Sequence, residues 1–305
     1  MKPILIAGPT ASGKSALALQ LADQHAGVVV NADSMQVYRE LAILTARPPP
    51  EDLARVPHCL YGHVPAAKAY SVARWLSDVS HAMKIIAQAG RRAIVVGGTG
   101  LYFKALTEGL SPIPEIPREI RERWRAIAAA EGAACLYREL LARDPAMAGR
   151  LKPADTQRLT RALEVVEATG RSLADWQSVP GTPLLPIDRA VPIMIDPPRA
   201  ELLDRCDRRF DLMMETGVAV EVRALLGLGL DRTLPVFGAL GVGALTDWIE
   251  GRVDRETAVA AAKMQTRQYV KRQRTWNNRH MSAWNVVKSH EYYEIEPSID
   301  HLIDC

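Results

Sequence analysis

Near its start the chain reads Ile4-Leu5-Ile6-Ala7-Gly8-Pro9-Thr10-Ala11-Ser12-Gly13-Lys14-Ser15, an apolar run that leads into a Gly-containing loop. Its apolar first part predicts a buried parallel strand, and the helical spacing from Ser15 to Ala26 predicts a helix. The loop between them matches the pattern GxxxxGKS, in which backbone N–H groups cradle phosphate oxygens at a helix N-terminus. A chance match in a Gly-rich turn is the alternative. The position between strand and helix favours a site for a di- or triphosphate, with Lys14 on the phosphates and the Ser15 hydroxyl on Mg²⁺.

Further strand-like segments alternate with helical stretches along the chain. Val28 to Asn31, Ala93 to Val96 and Pro192 to Ile195 are short and apolar, so we predict βαβ units and a parallel sheet. The segment 112–186 differs, because it has helical periodicity, many arginines and no convincing strand. We predict an α/β core made of residues 1–111 and 187–305, with 112–186 as a mostly helical insertion and a helical C-terminal region that ends in a strand-poor tail.

The composition excludes some classes of protein. With 305 residues and 48% hydrophobic content the chain can bury a proper core, while no apolar run approaches the ~20 residues of a membrane span. The start of the chain leaves no room for a signal peptide, and the net charge of +3 is too small to indicate nucleic acid by itself. The four cysteines have neither metal-ligand nor disulfide-framework spacing, which predicts a reduced, cytoplasmic protein. They are Cys59, Cys135, Cys206 and Cys305.

The end of the third strand bears on the type of phosphate compound. A nucleoside triphosphatase carries an acidic residue on a later strand to complete its Mg²⁺ site. Here the strand runs into Gly97-Gly98-Thr99-Gly100, and the available acids are Asp33 and Asp196. This favours a diphosphate leaving group over ATP hydrolysis, although a small-molecule kinase remains an alternative.

Beyond the phosphate loop the chain carries a series of short motifs in a fixed order. They are Asp33-Ser34-Met35-Gln36-Val37-Tyr38-Arg39, Thr45-Ala46-Arg47-Pro48, Pro57-His58, Tyr70-Ser71-Val72, Val96-Gly97-Gly98-Thr99-Gly100-Leu101-Tyr102, Gln157-Arg158-Leu159-Thr160-Arg161-Ala162-Leu163-Glu164-Val165, Arg205 to Met213, Gly217 to Leu225, and Thr266 to Gln273 with Thr275-Trp276. In this order the chain resembles the tRNA dimethylallyltransferases, also called tRNA isopentenyltransferases. The resemblance implies a P-loop kinase-like core with a helical insertion. It also implies transfer of a dimethylallyl group from dimethylallyl diphosphate to the exocyclic N6 amine of the adenosine 3′-adjacent to the anticodon in tRNA.

The resemblance assigns the chemistry to three residues. Asp33 takes the proton from the amine, Thr99 orients Asp33, and Arg209 stabilises the departing diphosphate together with Lys14 and Mg²⁺. Judged from the residues alone, Asp33 could be a helix N-cap, Thr99 a turn residue and Arg209 one member of a solvated arginine cluster.

Contacts with tRNA are also implied by the resemblance. An adenine stacked in an anticodon loop must be extruded before it can meet the donor. Arg158 and Arg161 are three residues apart, so one helix face could grip a phosphate or stack on a base, or could simply be solvated. We expect a monomer that binds dimethylallyl diphosphate and the anticodon stem-loop, with no membrane partner. The implied tRNA contacts are Asp33, Ser34, Met35, Gln36, Arg121, Gln157, Arg158, Leu159, Thr160 and Arg161.

The sequence departs from the family pattern in places. Many members carry Gly-Tyr-Lys or Gly-Tyr-Arg where this chain reads Gly238-Ala239-Leu240-Gly241-Val242-Gly243, which leaves only backbone contacts with tRNA at that block. Leu44 replaces a glycine and Arg47 a lysine. The main alternative function is a prenyltransferase acting on free adenosine phosphates, because such an enzyme shares the phosphate loop and the Asp33-Ser34 pair.

Overall fold

A parallel sheet carries the phosphate loop. In the computed structural model, which describes residues 1–288, the strands follow the order β3-β2-β4-β1-β5-β6, and every neighbouring pair is parallel. The four strands expected from the sequence are confirmed, whereas β3 and β6 were not predicted, because two or three residues are too short to show a periodicity. The strands are β1 (Ile4–Ala7), β2 (Gly27–Asn31), β3 (His58–Cys59), β4 (Arg92–Gly97), β5 (Val191–Ile195) and β6 (Asn285–Val287).

Helices connect and cover these strands. Each strand must return to the same edge to pair in parallel, and a crossover helix provides the return. The helices are α1 (Lys14–Gln24), α2 (Pro50–Arg55), α3 (Val72–Gln88), α4 (Gly100–Glu108), α5 (Arg118–Arg143), α6 (Pro145–Ala148), α7 (Thr156–Thr169), α8 (Leu173–Ser178), α9 (Arg199–Glu215), α10 (Val218–Gly227), α11 (Val242–Ile249) and α12 (Arg255–His280). None of the helices in this described part combines the length and apolar content of a membrane span.

Both faces of the sheet are buried, which explains why its strands are continuously apolar. In β1, Leu5 belongs to the hydrophobic cluster that contains Trp75 of α3, whereas Ile4 and Ile6 belong to the cluster that contains Leu17 of α1. Alternate side chains of one strand therefore hold helices on opposite faces. The layout is the predicted P-loop kinase-like core.

The chain divides into two compact units. Within the described residues, one comprises Met1–Thr107 together with 184–288, and the other is Glu108–Pro183. The second unit is helical, and its core contains Trp124, Leu136 and Leu163 from α5 and α7. The predicted fold class, a parallel-sheet core with a mostly helical insertion, is confirmed.

The ends of β2 and β4 approach each other closely at Gly97. The Ala32 N–H donates to the Val96 carbonyl at 2.8 Å, and a Cβ on Gly97 would lie 2.1 Å from the Ala32 carbonyl oxygen. That distance is far shorter than a van der Waals contact. The atoms that the Cβ would meet belong to the backbone of Ala32, which cannot rotate away as a side chain could. A side chain at residue 97 would therefore push the two strand ends apart.

We expect Gly97→Ala to lower the free energy of unfolding by roughly 1–3 kcal/mol, as overpacking does in other cores. Thermal denaturation measures the change. Gly243→Ala is the matched control, because Gly243 lies in α11 with no neighbour within 4 Å of the added carbon, so it should leave the melting temperature unchanged or slightly raised. A Gly97→Ala protein that melts with the wild type would contradict this account of the strand ends.

Candidate active site

The phosphate loop turns between β1 and α1 as its sequence predicts. Gly13 adopts a left-handed φ of 92° at the N-cap of α1, and Ala11 also has a positive φ of 62°. Left-handed positions of this kind allow a phosphate loop to turn backbone N–H groups toward an anion at the helix N-terminus. The Lys14 ammonium folds over the loop and donates to the Pro9 carbonyl at 3.1 Å.

Two cations share this end of the site. Arg209 of α9 donates through Nη2 to the Thr10 hydroxyl, so a residue far along the chain reaches the phosphate loop. Burial lowers the pKa of Lys14 to about 8, partly offset by the Asp33 carboxylate, while Arg209 lowers it further. Burial also lowers the pKa of Arg209. Both pKa values drop because the protein removes water from the two cations without supplying a full countercharge. A bound diphosphate would supply the missing negative charge.

Asp33 lies just beyond the end of β2 and uses its two oxygens differently. Oδ1 accepts from the backbone N–H groups of Met35, at 2.9 Å, and Gln36, at 3.4 Å. Oδ2 lies beside Gly98, and Asp33 lines a cavity. No described helix begins at Asp33, so Oδ1 caps a turn rather than a helix, and Oδ2 is left available for the role of base that the resemblance implies.

Asn31 holds the backbone of Asp33, and the sequence reasoning missed it. Its fully buried amide accepts from the Asp33 N–H at 2.9 Å and donates to the Asp33 carbonyl at 2.9 Å and to the Leu60 carbonyl at 3.1 Å. Buried polar groups are almost always hydrogen-bonded. An asparagine at the end of an apolar strand was the available signal.

Thr99 contacts Ser34, the residue that follows Asp33. Its hydroxyl accepts from the Ser34 N–H at 2.9 Å and donates to the Ser34 hydroxyl at 3.3 Å. The contact therefore orients the residue that follows Asp33 rather than the carboxylate itself.

The cavity of about 320 Å³ has two chemically different ends. Thr10, Asp33 and Arg209 provide a polar end next to the phosphate loop. The rest of the lining has an apolar part next to polar side chains, which include Thr266, Arg272 and Gln273. Such a cavity suits a ligand with an anionic head and a short hydrocarbon part. The apolar walls are Met35, Leu44, Phe210, Met213, Ala239 and Leu240.

The segment after Asp33 is divided between the cavity and the fold. Ser34 and Met35 line the cavity. The Gln36 amide donates to the carbonyls of Thr45, at 2.8 Å, and Ala46, at 2.9 Å. The Gln36 side chain therefore shapes a neighbouring loop.

The remaining expected tRNA contacts lie in the second unit, and two of them are core side chains. Leu159 is fully buried, and Thr160 is 8% exposed with its hydroxyl on the Thr156 carbonyl at 2.8 Å. The expectation that these two side chains contact tRNA is therefore corrected: α7 turns them inward, and they stabilise the unit. Gln157 is exposed and Arg121 half-buried on the unit's own surface.

The two arginines of α7 both have carboxylate neighbours. Arg158 lies 3.5 Å from Asp155, an exposed pairing of little energetic weight. Arg161 donates to Glu164 at 3.2 Å, and the Glu164 side chain is 6% exposed. Removal of Arg161 would leave a buried carboxylate unpaired, so only Arg158 is suited to a test of surface contacts.

Ser15 is exposed on the first turn of α1, where a hydroxyl could ligate a cation bound to phosphates. Within residues 1–288 there is no group of three or more His, Cys, Asp or Glu side chains that could hold a metal. Mg²⁺ commonly takes few protein ligands and completes its shell with substrate phosphates and water. The residues present therefore fit an ion held mainly by a diphosphate.

Comparisons with known proteins show the family of the chain. A family model described as IPP transferase matches residues 36–280, and a second, described as isopentenyl transferase, matches residues 1–60. The chain is 51% identical over 286 residues to a tRNA dimethylallyltransferase of Azorhizobium caulinodans, covering 93% of this chain and 92% of the relative. The chain belongs to the tRNA dimethylallyltransferase family.

Solved structures of the family share the fold. The tRNA isopentenylpyrophosphate transferase of Bacillus halodurans is 30% identical with a TM-score of 0.69, and the match covers 99% of this chain and 97% of that one. A eukaryotic dimethylallyltransferase acting on tRNA is 26% identical with a TM-score of 0.80, covering 97% of this chain and 75% of that one.

The two main departures from the family pattern meet in the structure. Leu44 and the residues Gly238 to Leu240 line the same cavity. Cδ1 of Leu44 lies 3.2 Å from the position that a Cβ on Gly241 would occupy. Where many members have a glycine and an aromatic-basic block, this chain therefore has one aliphatic wall.

We expect kcat/KM for the diphosphate donor to fall as the pH rises through about 8, the pKa of Lys14. Below that pH the ammonium is charged and attracts the diphosphate, and above it the amine is neutral. A pH series at saturating tRNA measures the effect. Lys14→Arg, which stays charged throughout, should lose this alkaline fall whatever its absolute rate. The same midpoint in both proteins would show that another group titrates.

Proposed function

We propose that the protein transfers a dimethylallyl group from dimethylallyl diphosphate to the N6 amine of the adenosine 3′-adjacent to the anticodon in tRNA. One observation carries the proposal. In a member of this family, Asp33 and Arg209 line a cavity whose wall has an apolar part, and Lys14 on the phosphate loop interacts electrostatically with both. The polar end suits the diphosphate and the amine, and the apolar walls suit the prenyl chain.

The first chemical event is loss of the diphosphate. The allylic C–O bond breaks, and its electron pair leaves with the diphosphate, so negative charge develops on the bridging oxygen. Donors that are already in place stabilise this charge without reorganising. Lys14, Arg209 and the loop N–H groups provide them, and a Mg²⁺ held by Ser15 and the diphosphate would supply further positive charge.

The second event is attack by the amine. The N6 nitrogen forms the new C–N bond at the allylic carbon, and the surplus proton passes to Oδ2 of Asp33. A carboxylate within hydrogen-bond reach serves as such a base. Asn31 and the Thr99–Ser34 pair keep Asp33 in place while its charge changes.

Recognition of tRNA requires contacts beyond one base. The adenine must leave its stack to enter the cavity, at a cost that is lowest in an unpaired loop. We infer that Ser34 and Met35 meet the extruded nucleotide, and that Arg121, Gln157 and Arg158 on the second unit contact the tRNA. Each contact between a cation and a phosphate releases counterions, so binding should depend steeply on salt.

We further infer a monomer that works in the cytoplasm. Cys59, Cys135 and Cys206 are free thiols, as a reducing compartment would keep them.

We expect an anticodon stem-loop with an unpaired adenosine 3′ of the anticodon to be prenylated, and adenosine monophosphate to react negligibly. Arg158→Gln should raise KM for the stem-loop and flatten the logarithmic salt dependence of binding by about 0.7, leaving KM for the donor unchanged. Arg150→Gln is the control, because Arg150 is exposed in the same unit and is not an expected contact. Comparable kcat/KM for the two acceptors would assign the protein to free adenosine phosphates instead.

We expect Asp33→Asn to lower kcat by ~10²–10⁴, because an amide cannot take the proton. An asparagine oxygen can still accept from the Met35 N–H, so the turn and the affinity for tRNA should be preserved. Single-turnover rates and stem-loop binding separate the two effects. Equal losses of rate and affinity would make Asp33 a tRNA-positioning residue.

A further inference from the structure

Gln273 of α12 joins two segments that the reaction uses separately. Its Oε1 accepts from the Thr10 N–H at 2.9 Å, across 263 positions of the chain, and its Nε2 donates to the Gly98 carbonyl at 2.9 Å. The side chain is 6% exposed. Both ends of one buried amide are therefore satisfied, one by the phosphate loop and the other by the turn after β4.

Thr10 belongs to the part of the site that holds the leaving group. Its hydroxyl accepts from Arg209, and its carbonyl oxygen accepts from the Cys206 thiol at 3.9 Å. With the Gln273 contact, the backbone N–H, the carbonyl and the side chain of Thr10 each have a partner. Any shift of Gln273 would reorient Thr10 and with it the partner of Arg209.

Gly98 belongs to the part of the site that holds the base. A Cβ on Gly98 would lie 2.5 Å from Nε2 of Gln273 and 3.5 Å from Oδ2 of Asp33, so the glutamine amide, the glycine and the carboxylate are immediate neighbours. Thr99, the next residue, holds Ser34. A shift of the Gly98 backbone would therefore change the surroundings of Oδ2 of Asp33 and, through Thr99, the position of Ser34.

We propose that Gln273 is a positioning residue that sets the separation between the leaving-group end of the site, at Thr10 and Arg209, and the base, Asp33. This inference rests on the proposed function. The diphosphate leaves the same allylic carbon that the amine attacks. The diphosphate site and Asp33 must therefore both lie at the correct distance from that carbon. A misplacement of about 1 Å can cost about 10²-fold in rate. An amide suits the position because it accepts at one end and donates at the other.

The alternative is that Gln273 stabilises only the fold, as buried hydrogen-bonded amides often do. The two roles differ in what a substitution changes. A structural role lowers the melting temperature and the active fraction, whereas a positioning role lowers kcat in protein that is fully folded and binds both substrates.

Gln273→Glu separates the roles by pH. The ionised carboxylate can accept from the Thr10 N–H but cannot donate to the Gly98 carbonyl, and it repels Asp33. The protonated acid can do both, as the amide does. The other titratable or charged groups lining the cavity are Asp33, Cys206, Arg209, Tyr269 and Arg272, with Lys14 on the loop beside them. Because these groups are common to both proteins, the ratio of variant to wild-type kcat reports chiefly on residue 273.

The experiment measures single-turnover rates of stem-loop prenylation at saturating donor and tRNA, for wild type, Gln273→Glu and Gln273→Met. We expect kcat of Gln273→Glu to be about 10–10²-fold below wild type near neutral pH, with the ratio rising several-fold as the pH falls. Gln273→Met, of similar volume but without either hydrogen bond, should be slowed by a similar factor at every pH. Substrate affinities should change less than about threefold.

Gln268→Glu and Gln268→Met are the matched controls, because Gln268 is exposed on the same helix. They should leave the rate and its pH dependence unchanged. A Gln273→Met protein with wild-type kcat, a pH-independent ratio for Gln273→Glu, or a rate loss that follows the loss of folded protein would each overturn the inference while the wild type remains active. A wild-type protein that prenylates no stem-loop would overturn the proposed function and this inference with it.

Discussion

The parallel pairing of β2, β4 and β1 brings the phosphate loop, Asp33 and Thr99 to one edge of the sheet. In a parallel sheet all strands end at the same edge, and ligands bind outside those carboxyl ends. The pairing places the phosphate loop after β1, the Gly98-Thr99 turn after β4 and Asp33 after β2 along one edge. The close approach of Gly97 to Ala32 brings the turn after β4 near to Asp33. Since β4 lies between β2 and β1, only the turn after β4 stands between Asp33 and the phosphate loop along this edge.

Hydrogen bonds from buried polar side chains fix the backbone segments of the site at this edge of the sheet. Asn31 grips the backbone on both sides of Asp33, and Gln273 spans from Thr10 to Gly98. The half-buried Glu221 holds a segment of the cavity wall in a similar way, since its carboxylate accepts from the N–H groups of Ala42, Ile43 and Leu44 at 2.5, 2.8 and 2.9 Å. A buried donor or acceptor without a partner is costly, so each of these networks favours one arrangement of its loop.

The same burial has opposite effects on the charges of the site. Removal of water strengthens the attraction between a cation and a diphosphate, but it also makes the cation harder to keep protonated before the diphosphate arrives. Lys14 shows the second effect in its pKa of about 8. Arg209 suffers the same desolvation but starts from a much higher pKa, so it keeps its charge. A lysine and an arginine together therefore make the anion site less sensitive to pH than a lysine alone.

Sequence patterns alone were enough to predict the strand, loop and helix around Gly8 to Ser15, the four longer strands and the helical character of the insertion. These features follow from local periodicity and from the backbone freedom of glycine, which are properties of neighbouring residues. The family motifs further singled out Asp33, Thr99 and Arg209, whose roles remain proposals. Other features could be seen in the folded protein alone: Arg209 reaches Thr10, Gln273 and Asn31 hold backbone groups of the site, Leu159 is a core residue, and β3 and β6 join the sheet. The physical reason is that such contacts join residues far apart in the chain, so they depend on how the strands are ordered rather than on any local preference.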